Sequence, residues 1–359
     1  MKKKIIFTSG GTGGHIFPAI NLMKHYSLKG YKVILVTDIK GNNFMKKYSE
    51  FQSYVIKAQT ITNKSFFKKI LSFLLVIYSI FQSIIIIRKE KPDLVFGFGG
   101  YASFPISAAS KFFKLPLAIY ENNIILGRAN KFLLATAKIV FVAKKILINF
   151  PEKYKNKVCK VGPVLSKEII NYSENITNKK EKKISILVLG GSQGAKIFGE
   201  IVPKVINKIK NKGYEIEIFQ QCIAEQKNSI IEFYNKNNIK NYIFNFDKQV
   251  LKLISSSDLA ITRCGASTTA ELNHTLTPFI AVPLKNSIDN HQLLNAKYYK
   301  DMDCCLILEE ENFTEENLFN LIIENIEDKN KLENIRKNMK KNYSKNVYSD
   351  IENQIKKII

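Results

Sequence analysis

The chain has 359 residues, which is long enough for two domains that each bury a core of their own. Its hydrophobic content of 45% and its aromatic content of 11% exclude an intrinsically disordered chain. The net charge is +24, and the five cysteines show no C-x-x-C spacing, which argues against a disulfide framework or a zinc site and favours a reducing compartment.

The positive charge is concentrated in the first third of the chain. Residues 1–120 hold 18 Lys+Arg and 4 Asp+Glu, a balance of +14, which leaves +10 for the other 239 residues. Such an imbalance indicates an anionic partner, namely a membrane surface, a nucleic acid or a phosphorylated substrate. A general enrichment in lysine is the alternative, because lysine is abundant throughout this sequence.

The first predicted strand, Lys4–Phe7, runs into a glycine-rich stretch at residues 8–18 that reads T-S-G-G-T-G-G-H-I-F-P. A loop of this composition between a strand and a helix is typical of a phosphate site or of close approach to a ligand. Its spacing matches neither G-x-G-x-x-G nor the Walker A motif. The apolar run before it ends at Thr8, which is too short for the core of a signal peptide, so we expect none.

Further predicted strands alternate with helices at residues 33–37, 94–98, 117–120 and 139–143. This alternation predicts a parallel, doubly wound sheet, in which ligands bind at the carboxyl ends of the strands. Three polar stretches fall at such ends and should line one cleft: Gly10–His15, Gly99–Tyr101 and Glu121–Asn123.

An uncharged stretch at residues 70–87 has the minimum length of a transmembrane helix. Serine and glutamine residues interrupt it, and it lies between strands of one predicted sheet. We therefore expect a helix that packs on the sheet with one face toward lipid; a fully buried helix and a true span are the alternatives. The residues just before it form a basic, aromatic lip suited to an anionic membrane surface: Phe66, Phe67, Lys68 and Lys69.

The second half of the chain repeats the pattern of the first, in which an apolar strand is followed by a glycine-rich loop and a helix. A polar linker at residues 171–183 precedes an apolar strand, Ile184–Leu189, and a second glycine-rich loop, G-G-S-Q-G-A, at residues 190–195. Later strands are predicted at 216–220, 242–246, 258–262, 278–282 and 304–308. The pattern predicts two α/β domains.

The stretch around Cys264–Thr269 predicts an anion site. A short apolar strand ends there in a turn of small and hydroxyl residues that opens a helix. The unpaired N–H groups and positive dipole end of a first helical turn suit a diphosphate. Glu271 lies one turn beyond Ser267 on the same face, where a carboxylate can accept hydrogen bonds from a ribose diol.

Another strand and helix follow. Asp289 is predicted to cap that helix, which places Asn290, His291 and Gln292 at its start, where they could bind sugar hydroxyls. An ordinary βαβα unit with capped helices is the alternative for the whole stretch.

Taken together, G-G-T-G-G-H at 10–15, G-G-S-Q-G-A at 190–195 and the 265–292 region resemble the MurG family of peptidoglycan N-acetylglucosaminyltransferases. The resemblance extends over essentially the whole chain. It implies an α/β GT-B fold, with two Rossmann-like parallel-sheet domains facing a central cleft. The implied domains are residues 1–163 and 164–344, with a last helix at about 345–359 that packs back on the first.

The resemblance also implies the reaction and the partners. The donor would be UDP-GlcNAc and the acceptor lipid I, the undecaprenyl-diphospho-muramoylpentapeptide, whose C4 hydroxyl attacks with inversion to give lipid II and UDP. Neither a metal nor a cofactor would be required. The enzyme would be peripheral, on the anionic cytoplasmic face of the plasma membrane.

The roles implied for single residues follow the motifs. His15 and Glu271 are the catalytic candidates, His15 as the base or the acceptor-orienting group and Glu271 as the ribose ligand. A helix-start histidine bonded to backbone is the alternative for His15. The implied contacts to UDP-GlcNAc are Thr12, Gly13, Gly14, Asn123, Ser192, Gln193, Gly194, Ala266, Ser267, Thr268, His291 and Gln292.

The sequence departs from the family in places. Leu165 stands where the family usually has an arginine, so phosphate neutralisation would depend on Lys167 or on backbone amides. The D-x-D at residues 301–303 is interpreted as a solvated turn and not as a metal site.

Other functions remain to be distinguished: a GT-B transferase with a different lipid acceptor, a sugar-nucleotide-binding protein or epimerase on the same fold, and a nucleic-acid binder. We expect no nucleic-acid partner, because no recognised nucleic-acid motif is present.

Overall fold

The computed structural model describes residues 2–46, 48–57, 66–145, 147–172, 183–191, 194–247, 249–342, 344 and 346–359. The chain divides into two compact units. The first comprises Met1–Ser166 with Ser344–Ile359, and the second comprises Lys167–Tyr343.

The described residues of the first unit form a seven-stranded parallel sheet, whose strands are Lys4–Ser9 (β1), Lys32–Thr37 (β2), Gln52–Val55 (β3), Leu94–Gly97 (β4), Leu117–Glu121 (β5), Ile139–Val142 (β6) and Val158–Lys160 (β7). Their spatial order is β3-β2-β1-β4-β5-β6-β7. The order reverses between β1 and β4, and the crevice beyond the carboxyl ends of two such strands is where doubly wound sheets bind ligands.

The second unit has a six-stranded parallel sheet, whose strands are Lys183–Leu189 (β8), Glu215–Gln221 (β9), Lys240–Phe244 (β10), Leu259–Thr262 (β11), Phe279–Ala281 (β12) and Leu306–Ile307 (β13). Their order is β10-β9-β8-β11-β12-β13, which repeats the order of the first sheet and places a second reversal between β8 and β11. The predicted α/β architecture with two Rossmann-like sheets is thus confirmed.

Helices connect these strands. Their bounds are Gly13–Leu28 (α1), Ile39–Met45 (α2), Phe66–Glu90 (α3), Ser103–Ala109 (α4), Arg128–Leu133 (α5), Lys167–Tyr172 (α6), Lys196–Asn211 (α7), Lys227–Lys236 (α8), Val250–Ser256 (α9), Ala266–His274 (α10), His291–Lys300 (α11), Glu315–Glu327 (α12), Lys329–Lys341 (α13) and Val347–Ile355 (α14).

Aromatic packing fixes α1 on the first sheet. The ring of Phe7 on β1 lies 5.8 Å from that of Phe96 on β4 and 6.0 Å from that of Tyr26 on α1, centroid to centroid. All three side chains are fully buried. Because burial of rings of this size contributes a large part of a core's stability, these contacts hold α1 against the sheet.

The C-terminal helix α14 belongs to the first unit. Its side chains Val347, Ile351 and Ile355 are buried in the core that also contains α1. Beside them, Glu352 Oε2 lies 3.1 Å from Nε2 of His25 on α1, with both side chains buried. The chain therefore returns after the second unit to complete the first.

Helix α3 presents an unusual surface. Its serines are turned inward: Ser72, Ser79 and Ser83 are buried, and Ser79 donates a 2.7 Å hydrogen bond to the Lys57 carbonyl. We call its exposed apolar side chains the outward face of α3; they are Leu71, Phe73, Leu74, Ile77, Tyr78, Phe81 and Ile85.

Length and apolar composition alone would allow Leu71–Glu90 of α3 to cross a membrane, and 28% of that window is buried within the protein. The glutamate at its end ties it to the sheet, because Glu90 bonds Lys4 at 3.0 Å and Tyr54 at 2.6 Å. The side chains of residues 66–70, which include the predicted lip at Phe66, Phe67, Lys68 and Lys69, lie outside the described residues.

Candidate functional site

The first glycine-rich loop packs directly on the loop after β4. The Gly10 amide donates a 2.9 Å hydrogen bond to the Gly99 carbonyl, and a methyl group on Gly10 would lie 2.9 Å from Gly100 Cα. Gly99 and Gly100 both have positive φ. Glycine is favoured at these positions because a side chain would prevent the close contact at Gly10 or strain the backbone at Gly99 and Gly100. The glycines therefore allow the two loops to meet at the carboxyl ends of β1 and β4.

His15 lies at this junction, in the first turn of α1. A methyl group built on Gly99 would be 3.2 Å from His15 Cε1 and 3.4 Å from Asn130 Nδ2, so the imidazole and the amide lie side by side over the glycine. The His15 backbone amide bonds the Thr12 carbonyl at 3.0 Å. His15, the residue predicted from the first loop, thus lies beside Gly99 and Asn130.

Thr12, Gly13 and Gly14 form the open start of α1. Thr12 is the N-cap residue, it is exposed, and its side chain makes no capping hydrogen bond. A methyl group on Gly14 would meet nothing within 4 Å. The uncapped start of a helix with open space beside it is suited to an anion or to a polar ligand.

Glu121, at the end of β5, organises the neighbouring loop and is not available as a base. Its Oε1 accepts from the backbone and side-chain amides of Asn123 at 3.0 and 3.2 Å. Its Oε2 accepts from Gly127 N and from Asn130 Nδ2, both at 2.9 Å. The predicted donor contact Asn123 is therefore turned toward Glu121.

Two neighbouring amides complete this part of the site. Asn122 Nδ2 donates to the Gly14 carbonyl at 3.2 Å, which joins the β5 loop to α1. The Asn130 side chain is 1% exposed, and its Oδ1 has no hydrogen-bond partner among the described residues. A buried amide oxygen without a hydrogen-bond partner favours a ligand that donates a hydrogen bond to it.

The second glycine-rich loop follows β8. Gly191 and Gly194 both have positive φ, and a methyl group on Gly190 would lie 2.4 Å from the Ala195 nitrogen. The loop leads into α7, whose first residue is Lys196. Of the predicted contacts here, Gly194 lies in this turn, and Ser192 and Gln193 lie outside the described residues.

The third loop opens α10 as the sequence predicts. Gly265 is the N-cap residue, and Ala266, Ser267 and Thr268 form the first turn. Ala266 is buried, whereas Ser267 and Thr268 are half-buried. With no acidic side chain in that turn, the positive end of the helix dipole suits a negative ligand.

Glu271 lies one turn farther along α10 and is half-buried. Among the described residues its carboxylate has no hydrogen-bond or ion-pair partner. Burial raises the pKa of Glu271 to about 7, because no nearby group compensates for the lost hydration of the charged form. A ligand whose hydroxyl groups donate hydrogen bonds to this carboxylate would stabilise its charged form.

Gln292, in the first turn of α11, is held in one orientation. Its Oε1 accepts from the Cys264 amide and from the Leu284 amide, each at 3.1 Å. Its Nε2 has no partner among the described residues, so the group left for a ligand is a donor. His291 lies beside it at the start of α11, half-buried.

The predicted cap of α11 is wrong. Asn290, not Asp289, is the N-cap residue, and its side chain makes no capping hydrogen bond. Both residues have positive φ, at 52° and 56°. Asn and Asp tolerate such a left-handed turn better than most residues, and the turn lies directly before α11.

Sequence reasoning missed Arg263 and Glu310. The Arg263 guanidinium makes paired hydrogen bonds with Glu310, NH1 to Oε2 at 3.1 Å and NH2 to Oε1 at 3.0 Å. An arginine between a buried strand and a Gly-containing turn had to find a partner, since a buried charge is costly alone. The sequence does not show which carboxylate would supply it, because Glu310 is 47 residues away.

The departures noted in the sequence have clear positions. Leu165 is buried, and its carbonyl accepts a hydrogen bond from Tyr348 of α14. The D-x-D at residues 301–303 lies in the turn after α11. In the described part of the chain, no group of three or more His, Cys, Asp or Glu residues is placed to hold a metal ion.

Comparison with known proteins agrees with this geometry. The glycosyltransferase family 28 N-terminal domain matches residues 5–142, and the C-terminal domain of the same family matches residues 185–355. A Pelagibacter ubique protein named UDP-N-acetylglucosamine–N-acetylmuramyl-(pentapeptide) pyrophosphoryl-undecaprenol N-acetylglucosamine transferase is 36% identical over 329 residues, 92% of this chain and 91% of that protein.

Two further similarities point the same way. A Rickettsia canadensis protein of the same name is 32% identical over 333 residues, 92% of this chain and 93% of its own. The crystal structure of Acinetobacter baumannii MurG has a TM-score of 0.80 and 25% identity, and the match covers 99% of this chain and 100% of that one. The predicted family and GT-B fold are confirmed.

Proposed function

This chain belongs to glycosyltransferase family 28, and we propose that it transfers N-acetylglucosamine from UDP-GlcNAc to the C4 hydroxyl of the muramoyl sugar of lipid I. The products are lipid II and UDP, in peptidoglycan synthesis. The observation that carries the proposal is the match to a transferase of that name over more than nine-tenths of both chains.

The second unit is proposed to hold the donor. The start of α10 neutralises the diphosphate, Glu271 accepts hydrogen bonds from the ribose diol, and the Gln292 amide donates to a sugar oxygen. Gly194 and the neighbouring loop allow the diphosphate to approach the backbone. Ser192 and Gln193 are proposed to contact it as well, as the family resemblance implies.

The first unit is proposed to hold the acceptor and the base. His15 takes the proton of the C4 hydroxyl as its oxygen attacks the anomeric carbon, and the bond from that carbon to the diphosphate breaks. A single displacement of this kind inverts the anomeric configuration. The negative charge that develops on UDP is stabilised by the start of α10, so the mechanism requires no metal.

The proposal is tested by release of UDP from UDP-GlcNAc, with and without a lipid I analogue and with EDTA present throughout. We expect UDP to appear only when the acceptor is added. UDP release without any acceptor would instead support an epimerase or a hydrolase, and absolute dependence on Mg²⁺ would refute the metal-free mechanism.

The fixed amide of Gln292 gives a prediction for donor binding. In Gln292→Glu, one carboxylate oxygen can keep both backbone hydrogen bonds, but the other puts an acceptor where the wild type has a donor. We expect the KM for UDP-GlcNAc to rise about tenfold or more, from loss of roughly 1–3 kcal/mol.

Melting temperature and steady-state kinetics provide the measurement. Gln354→Glu, the same change in α14 of the first unit, is the matched control and should leave the KM unchanged. Equal KM values for Gln292→Glu and wild type would contradict the assignment of a donated hydrogen bond.

The outward face of α3 is proposed to contact an anionic membrane surface. Exposed phenylalanine, leucine and isoleucine side chains in this number are unusual on a protein that contacts only water. The lysine-rich first third of the chain supplies the attraction for anionic lipid. Phe66, Phe67, Lys68 and Lys69 at the start of α3 extend this proposal, which places the enzyme peripherally on the cytoplasmic face.

Removal of two apolar side chains should release the protein from lipid. We expect Leu74→Ser combined with Phe81→Ser to weaken binding to phosphatidylglycerol vesicles at least tenfold, because each side chain contributes about 1.5–3 kcal/mol when it enters an apolar medium. Ile39→Ser on α2, equally exposed in the same unit, is the control for cosedimentation. Unchanged binding of the double variant would favour a helix face that contacts no lipid.

A further inference from the structure

A network of hydrogen bonds ties together the loops on which the proposed donor site is built. Arg263 lies just after β11, immediately before the turn that opens α10. Besides its two bonds to Glu310, it donates to the Val282 carbonyl at 3.3 Å and lies 5.0 Å from the ring centre of Phe198 on α7. The guanidinium is therefore fixed by the ends of several elements.

Glu310 also reaches the loop between β12 and α11. Its Oε2 accepts a 3.0 Å hydrogen bond from the Lys285 amide. The preceding amide, Leu284 N, donates to Gln292 Oε1, the oxygen that also accepts from Cys264 N. Leu284 is thus linked through the Gln292 side chain to Cys264. Lys285 is linked through the Glu310 side chain to Arg263, the residue before Cys264. We call Arg263, Glu310 and Gln292 the loop brace.

The opposite charges of Arg263 and Glu310 stabilise each other. Burial alone would raise the pKa of Glu310, but the hydrogen bonds from Arg263 and the Lys285 amide outweigh it and hold that pKa below its usual value. The Arg263 side chain is 9% exposed, and its guanidinium forms an ion pair with the Glu310 carboxylate. A paired, two-point geometry of this kind fixes direction as well as distance.

We infer that Glu310 is a positioning residue for the donor sugar. It acts through Arg263 and the Lys285 amide to set the loop that presents His291 and Gln292, without touching substrate itself. The inference rests on the proposed function, because the loops it sets are the ones assigned to UDP-GlcNAc. A displacement of about 1 Å in such a loop is enough to lower a transfer rate by about two orders of magnitude.

The test compares neighbouring glutamates. Glu310→Gln removes the charge that pairs with Arg263, whereas Glu311→Gln makes the same substitution at an exposed residue, whose carboxylate lies 3.5 Å from the ammonium group of exposed Lys285. We expect Glu310→Gln to raise the KM for UDP-GlcNAc about tenfold while the KM for the lipid I analogue stays within about twofold. Glu311→Gln should match wild type in both.

A second variant separates positioning from loss of fold. Glu310→Asp keeps the charge that Arg263 needs but shortens the reach to the Lys285 amide, so it should fold and still show a raised donor KM. A folded Glu310→Asp protein with the wild-type KM for UDP-GlcNAc would overturn the inference. So would a Glu310→Gln preparation in which fewer molecules are active while the KM for UDP-GlcNAc is unchanged. Absence of transfer by wild type would instead refute the proposed function.

Discussion

Replacing His15 by alanine is expected to lower kcat for sugar transfer by about 10²–10⁴-fold, the usual contribution of a positioned general base. The imidazole lies at the junction of the glycine loops after β1 and β4, beside the Asn130 amide. An alanine there leaves the glycine contacts intact but removes the group that accepts the hydroxyl proton. The KM for UDP-GlcNAc should change little, because His15 belongs to the first unit and the donor is assigned to the second.

Steady-state kinetics with a lipid I analogue measure this effect. His15→Gln is the companion variant, since it retains a hydrogen-bonding side chain of similar length without a nitrogen that titrates near neutral pH. Both variants should be about equally slow. Turnover of His15→Ala within about threefold of wild type would remove His15 as the base.

The second large effect is expected at Glu271. Glu271→Ala should weaken UDP-GlcNAc binding by about 10- to 100-fold, which corresponds to roughly 1.5–3 kcal/mol for hydrogen bonds to a charged group. Turnover at saturating donor should change much less, because the ribose hydroxyls are remote from the bond that breaks. Glu324→Ala, an exposed carboxylate on α12 of the same unit, is the control for loss of charge.

The same residue predicts the pH dependence of binding. In the donor-free protein burial raises the pKa of Glu271 to about 7, and hydroxyl donors stabilise the ionised form, so donor binding lowers that pKa. Affinity should therefore rise with pH up to about 7 and then level off, with a slope of up to about tenfold per pH unit below it.

Calorimetric titration with UDP-GlcNAc, whose diphosphate has no group that titrates near neutral pH, measures this curve. Glu271→Gln should bind weakly and with a flat pH dependence. A wild-type affinity that does not change across pH 7, or a Gln variant with the same slope as wild type, would contradict the assignment of Glu271 to the ribose.

Much of the fold was predictable because the buried strands of a parallel sheet consist of continuous runs of apolar residues. The run at Ile184–Leu189 and the one before Gly10 each lie inside an observed strand. The strands β3 and β7, Gln52–Val55 and Val158–Lys160, were missed. They are short sheet edges with half-exposed side chains, so their sequences carry no continuous apolar signal.

The candidate site was predictable wherever a loop's own composition determines its shape. Close contacts require Gly10, Gly11 and Gly190, and positive φ favours glycine at Gly191 and Gly194. Ser267 and Thr268 stand in a first helical turn as predicted. The Gln292 orientation and its bonds to Cys264 could not be read from the chain, because they depend on which loops the sheet brings together.

Side-chain roles were less predictable than positions for the same reason. Glu121 belongs to a polar stretch that was expected to line a cleft, yet four hydrogen bonds from its own loop and from Asn130 occupy both of its oxygens. Glu310 reads as one of several glutamates near residue 310, yet it is the partner that Arg263 needs. Only tertiary contacts separate these two cases.

The most direct test of the account is transfer of radiolabelled N-acetylglucosamine from UDP-GlcNAc to a lipid I analogue, followed by extraction of the lipid product. We predict label in a disaccharide lipid with a β-1,4 linkage, and none when labelled UDP-glucose replaces the donor. Label that stays in the aqueous phase, or transfer to another lipid acceptor in preference to lipid I, would contradict the assignment.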